Sequence, residues 1–99
     1  MRYRISKEAL RDLEKIWFYS AENWSAEQAD RYYNLLMDEI EFIAANPKSG
    51  VDFSDHFAGY WRTRVKSHFI FYKVSDKQNL IEIIRILHQQ MDIDDRLGE

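Results

Sequence analysis

The stretch Leu80-Ile-Glu-Ile-Ile-Arg-Ile-Leu-His88 constrains the fold more than any other part of the chain. Ile81, Ile83 and Leu87 fall on one alternating set and Leu80, Ile84 and Ile86 on the other. A strand that is apolar on both faces belongs inside a sheet rather than on its rim. One residue breaks the pattern. Arg85 shares a face with Ile83 and Leu87, and an unpaired guanidinium closed into apolar surroundings is costly. The expectation is therefore that this face is open, or is covered by a partner that brings anions.

The rest of the chain supplies what such a strand needs. Tyr3 to Ile5 is too short to be anything but a strand added to an existing sheet. Ser6 caps a helix whose apolar residues Leu10, Leu13, Ile16, Trp17, Ala21 and Trp24 recur at three and four, with Arg11, Asp12, Glu14 and Lys15 on the other side. Ser25-Ala-Glu-Gln28 has the form of a capping box, so a second helix starts there. Its stripe of Ala29, Tyr32, Tyr33, Leu36, Ile40, Ile43 and Ala44 runs to Ala45, before Asn46-Pro47 stops it. With almost no linker between them, the two helices must fold back as an antiparallel hairpin. Trp17, Trp24, Tyr32 and Tyr33 read as packing between these helices.

The segment from Asn46 to Gly59 reads as an irregular connection. Three strand-like runs follow, Tyr60 to Val65, His68 to Val74 and Leu80 to His88, joined as two hairpins. At 99 residues the chain is expected to form one domain, residues 1–99. Its fold class is α+β in the order β-α-α-β-β-β, with the helical hairpin on one face of a small curved antiparallel sheet.

Period-two alternation places Trp61, Val65, Ile70, Tyr72, Ile84 and Ile86 under the helices. The opposite face then carries Arg62, Arg64, Phe71, Ile83, Arg85 and Leu87, a mixture of arginine and apolar surface that marks a partner-binding face. Lys and Arg total 14 against 17 Asp and Glu, so any basic surface is local and no general affinity for nucleic acid is expected. The absence of cysteine excludes disulfide scaffolds and thiolate chemistry. His56 and His68 have no second ligand near them in sequence, so neither a metal nor a cofactor is expected. Met1 to Ser6 is not followed by an apolar leader, and no window approaches the roughly 18 apolar residues of a membrane span. The expectation is a cytoplasmic protein with no membrane partner.

Several words of the sequence resemble the ParE toxins of the RelE/ParE superfamily. They are Leu10, Leu13, Ile16 and Trp17 with Trp24, the loop Asn46-Pro47-Lys48-Ser49-Gly50, Gly59-Tyr60-Trp61-Arg62, His68-Phe69-Ile70-Phe71-Tyr72, and above all Ile84-Arg85-Ile86-Leu87-His88-Gln89-Gln90-Met91-Asp92. The resemblance implies the toxin half of a type II toxin–antitoxin pair, neutralised by a ParD-like antitoxin and acting on DNA gyrase. It also implies that the tail, with Met91, Asp92 and Arg96, contributes to target binding.

The related RelE branch cuts messenger RNA on the ribosome, and Arg62 or Arg64, together with Arg85, falls where its arginines would lie. After the last strand, however, no tyrosine or lysine is placed to move a proton, which leaves His88 as the only candidate acid or base. A binding toxin without a catalytic residue is therefore expected ahead of a ribonuclease using Arg62, Arg64, Arg85 and His88. The bland alternatives are that Arg85 pairs with a carboxylate of its own chain, that His88 only bonds nearby backbone, and that the acidic tail is a solvated end.

Overall fold

A computed structural model describes residues 1–98. The elements are β1 (Arg2–Ile5), α1 (Lys7–Asn23), α2 (Ala26–Ala45), β2 (Val51–Asp52), β3 (Tyr60–Val65), β4 (His68–Ser75), β5 (Leu80–His88) and α3 (Ile93–Leu97). The α+β class and the helical hairpin are as the sequence predicts. Ser6 Oγ accepts from the Ala9 N–H and Ser25 Oγ from the Gln28 N–H, so both helices start at the expected caps.

The five strands form one sheet in the order β1-β5-β4-β3-β2. β3, β4 and β5 form the antiparallel meander, while β1 lies parallel to β5, with Tyr3 opposite Ile81 and Ile5 opposite Ile83. The sheet is thus mixed at this edge. A strand that enters α1 directly and meets β5 only through that crossover can run parallel to it.

β5 carries a bulge. Phe71 faces Arg85 across the β4–β5 ladder, but the next residue, Tyr72, faces Ile83, leaving Ile84 without an opposite number. An extra residue in one strand reverses the alternation beyond it. Ile81 and Ile83 therefore share the helix side with Ile86, not with Arg85 and Leu87 as simple alternation expects. Ile84 is the residue displaced from the core. The helix-side core joins Leu13, Leu36, Ile40 and Ile43 to Ile70, Tyr72, Ile81, Ile83 and Ile86, and each such side chain contributes about 1.5–3 kcal/mol on burial.

The opposite face is covered as well. Phe53, Phe71, Leu87 and Leu97 make a second buried cluster, flanked by Phe57, Tyr60, Phe69 and Ile93. The Asn46–Gly59 connection is therefore more than a linker. It forms β2 against Val51↔Arg62 and Asp52↔Trp61, then turns at Phe53–Phe57 and lays aromatic rings over the sheet. Gly50 allows this approach, because a Cβ there would stand 2.7 Å from the Arg62 carbonyl oxygen. From the other side α3, capped by Asp92 accepting from the Asp95 N–H, adds Ile93 and Leu97. With two elements over it, the expected open apolar face does not exist: Phe71 is 0 % exposed, Leu87 1 %, and Ile83 0 % on the far side of the sheet. The helical hairpin departs from expectation in the reverse sense, since Trp24 and Tyr33 project into solvent instead of packing between helices.

Candidate partner-binding surface

Arg85 stands where β1 has ended and α1 has begun, so the edge of β5 meets a helix there instead of a strand. Asp12 on α1 completes that edge. Its Oδ2 accepts from Arg85 Nε at 2.8 Å and from the Ile86 N–H at 2.9 Å, and its Oδ1 accepts from Arg85 Nη2 at 3.1 Å. Ser6 Oγ donates to the Ile84 carbonyl one step earlier, so two side chains of the β1–α1 junction replace a missing strand partner. Arg85 Nη1 also donates to the Arg96 carbonyl oxygen at 3.2 Å. Both members of the pair are largely sequestered, with side-chain exposures of 13 % and 9 %. The guanidinium expected to await another molecule is held by its own chain.

Arg62 and Arg64 behave differently. They follow each other at alternate positions of β3 on the outer sheet face, about 6.8 Å apart. Arg62 lies between two rings, 5.1 Å from the centre of Phe53 and 4.5 Å from that of Phe69. Arg64 lies 5.7 Å from Phe69 and is steadied by donating to the Lys66 carbonyl and to Gln89 Oε1. No ion pair among the described residues involves either arginine. β2 reaches only as far as the residue opposite Arg62, so among the described residues no strand covers the β3 edge at Arg64. Two charges fixed on aromatic rings beside a free strand edge can receive an extended segment whose carboxylates recur at every second residue.

At the end of the β3–β4 hairpin, Tyr32, His68 and His88 come together. The Tyr32 hydroxyl donates to the Val65 carbonyl at 3.1 Å and lies 2.6 Å from His68 Nδ1. With the phenol proton on Val65, a proton on His68 Nδ1 satisfies the phenol oxygen in turn. His88 packs edge-on against His68 at 5.2 Å and accepts from the Gln90 N–H. Burial, then the neighbouring His88, pushes the His68 pKa down to about 4, with Asp12 opposing the shift. Tyr32 and His68 are therefore neutral at pH 7, and the group serves as a structural knot. His88, the one expected proton carrier, is part of it.

Of the residues singled out in the sequence, only Arg62 and Arg64 stay together at the outer surface. Arg85 is tied to Asp12, Phe71 and Leu87 are buried members of the second cluster, and Ile83 faces α1 and α2. In the tail, Asp92 is a helix cap, Arg96 offers its carbonyl to Arg85, and Met91 is exposed. Sequence reasoning missed Asp12, although Ala9, Asp12, Leu13 and Ile16 are spaced as one buried face and a carboxylate on that face calls for a cation.

Residues 3–93 match the family model described as "ParE toxin of type II toxin-antitoxin system, parDE". Over 96 residues, 97 % of each chain, the sequence is 43 % identical to Toxin ParE1 of Caulobacter vibrioides. It is 36 % identical to Toxin ParE1 of Mycobacterium tuberculosis, again over 97 % of both. Among solved structures it superposes on the chromosomal ParDE toxin–antitoxin system from P. aeruginosa with a TM-score of 0.75 at 18 % identity, covering 89 % of this chain and 95 % of that one, a likeness of fold.

Proposed function

The chain belongs to the ParE toxin family of type II toxin–antitoxin systems, and from that premise we propose that it arrests growth by binding DNA gyrase and is neutralised by a ParD-like antitoxin. On this reading it works by contact and not by catalysis. The observation that carries it is the contrast between its arginines. Arg62 and Arg64 are presented outward on ring supports, while Arg85, which a phosphodiester-cleaving site would need beside them, is closed on Asp12. His88 is held by a backbone N–H, and the neighbouring His68 is too acidic to serve as a general acid at neutral pH.

The antitoxin then has a defined place. An extended acidic segment laid along the uncovered β3 edge would pair its carboxylates with Arg62 and Arg64 and add its backbone to the sheet. An antitoxin seated there adds bulk that keeps the toxin from its target. The protein has its work in the cytoplasm, where gyrase is. Adding purified protein to gyrase and relaxed plasmid tests the reading: supercoiling is expected to stop. Untouched supercoiling together with cleavage of messenger RNA on translating ribosomes would overturn it in favour of a RelE-like ribonuclease.

A further inference from the structure

The connecting end of the α1–α2 hairpin carries the largest exposed rings of the molecule. Phe18 is 54 %, Tyr19 61 % and Trp24 68 % exposed, although nothing in the fold requires them there. They are held in place. Tyr19 and Trp24 meet edge to face at 6.0 Å, Phe18 meets Trp17 in the same way at 5.3 Å, and Trp17 Nε1 donates to Asp30 Oδ1, fastening α1 to α2. Tyr32 already touches the last rung of the β3–β4 hairpin, so the residues that precede it on α2 extend past the sheet.

The charges at this end are mostly acidic, although Arg31, just past Asp30, lies 3.8 Å from Glu27 and pairs with it. From Phe18 to Asp30 the chain contains Glu22, Glu27 and Asp30 and no lysine, arginine or histidine. All three carboxylates are exposed. Rigid aromatic groups that lose little entropy on docking are the residues that dominate protein interfaces. A fringe of carboxylates repels nucleic acid and anionic lipid and attracts cations, which the faces of Tyr and Trp also bind. The tail, by contrast, is occupied in closing the second cluster and in holding Arg85.

We infer that Phe18, Tyr19 and Trp24, fringed by Glu22, Glu27 and Asp30, form the surface through which this toxin docks onto a lysine- and arginine-rich protein surface of its target, separate from the Arg62–Arg64 face. The inference rests on the reading of the chain as a binding toxin. It assigns the growth-arresting contact to the hairpin end and not to Met91, Asp92 and Arg96.

Two full-length variants test it, Tyr19→Ala/Trp24→Ala and Glu22→Lys/Glu27→Lys, all at exposed positions. Growth arrest on induction, inhibition of purified gyrase, and affinity for the cognate antitoxin are measured for each. Both variants are expected to need about tenfold more protein for half-maximal arrest, with antitoxin affinity changed less than about threefold. The loss in the charge variant is expected to be larger at low salt. Variants that arrest growth as the wild type does overturn the inference, and so does a parallel loss of antitoxin affinity, which would give this surface to the antitoxin. If the wild type leaves gyrase untouched while the variants lose growth arrest, gyrase is the wrong target and the docking surface stands. If all forms inhibit gyrase equally, the surface is wrong and the target stands. A wild type that causes no arrest overturns both.

Discussion

Asp12 decides the fate of Arg85, and with it the character of the site. The carboxylate accepts three hydrogen bonds, two from the guanidinium and one from the β5 main chain. Removing it strands a nearly buried cation and an unpaired N–H together. Asp12→Ala is expected to lower unfolding stability by about 3–5 kcal/mol in urea titrations, whereas removing both partners in Asp12→Leu/Arg85→Met is expected to cost less than the single change.

His68 gives a second signature at this scale. Its folded pKa, about 4, lies below the ordinary value of 6.5, so between those two values the unfolded chain binds more protons than the folded one. Its contribution is fully present above about pH 6.5 and falls away as the pH drops toward 4. Denaturant midpoints measured from pH 7.5 to 4.5 should fall over that window, and His68→Gln should flatten the slope.

Among the elements, β5 shows both what a sequence reveals and what it hides. Its length, its apolar character and its place inside the sheet follow from composition alone. Which of its residues face the helices does not, because the bulge at Ile84 is a property of the β4–β5 pairing and leaves no mark on the hydrophobic pattern. The bulge makes a prediction that simple alternation reverses. Ile83→Ala should cost about 2–5 kcal/mol and Ile84→Ala less than about 1.5, read from thermal or urea unfolding.

The caps at Ser6 and Ser25 and the turn at Asn46-Pro47 were legible because they depend on neighbours in the chain. The parallel docking of β1, the folding of Phe53 and Phe57 over the outer face, and the meeting of Asp12 with Arg85 across 73 residues are tertiary facts. Arg62 and Arg64 do lie on the outer side of β3 as period-two alternation expects, with Arg64 exposed and Arg62 half-buried between Phe53 and Phe69. Arg85 departs from expectation because its neutralising partner lies on another element.

Across the whole molecule, the net charge is −3. Arg62 and Arg64 mark the outer sheet face, and the carboxylates from Glu22 to Asp30 mark the hairpin end of a body 41 Å by 28 Å by 21 Å. A toxin that must be held by one protein and act on another has use for two separate surfaces. Gyrase supercoiling followed in a single titration tests this most directly, with toxin alone, with toxin plus cognate antitoxin, and with Arg62→Glu/Arg64→Glu toxin plus the same antitoxin. The account predicts inhibition by the toxin, relief by the antitoxin, and inhibition by the double variant that needs at least about tenfold more antitoxin to relieve. Equal relief of both forms, or no inhibition by either, would contradict it.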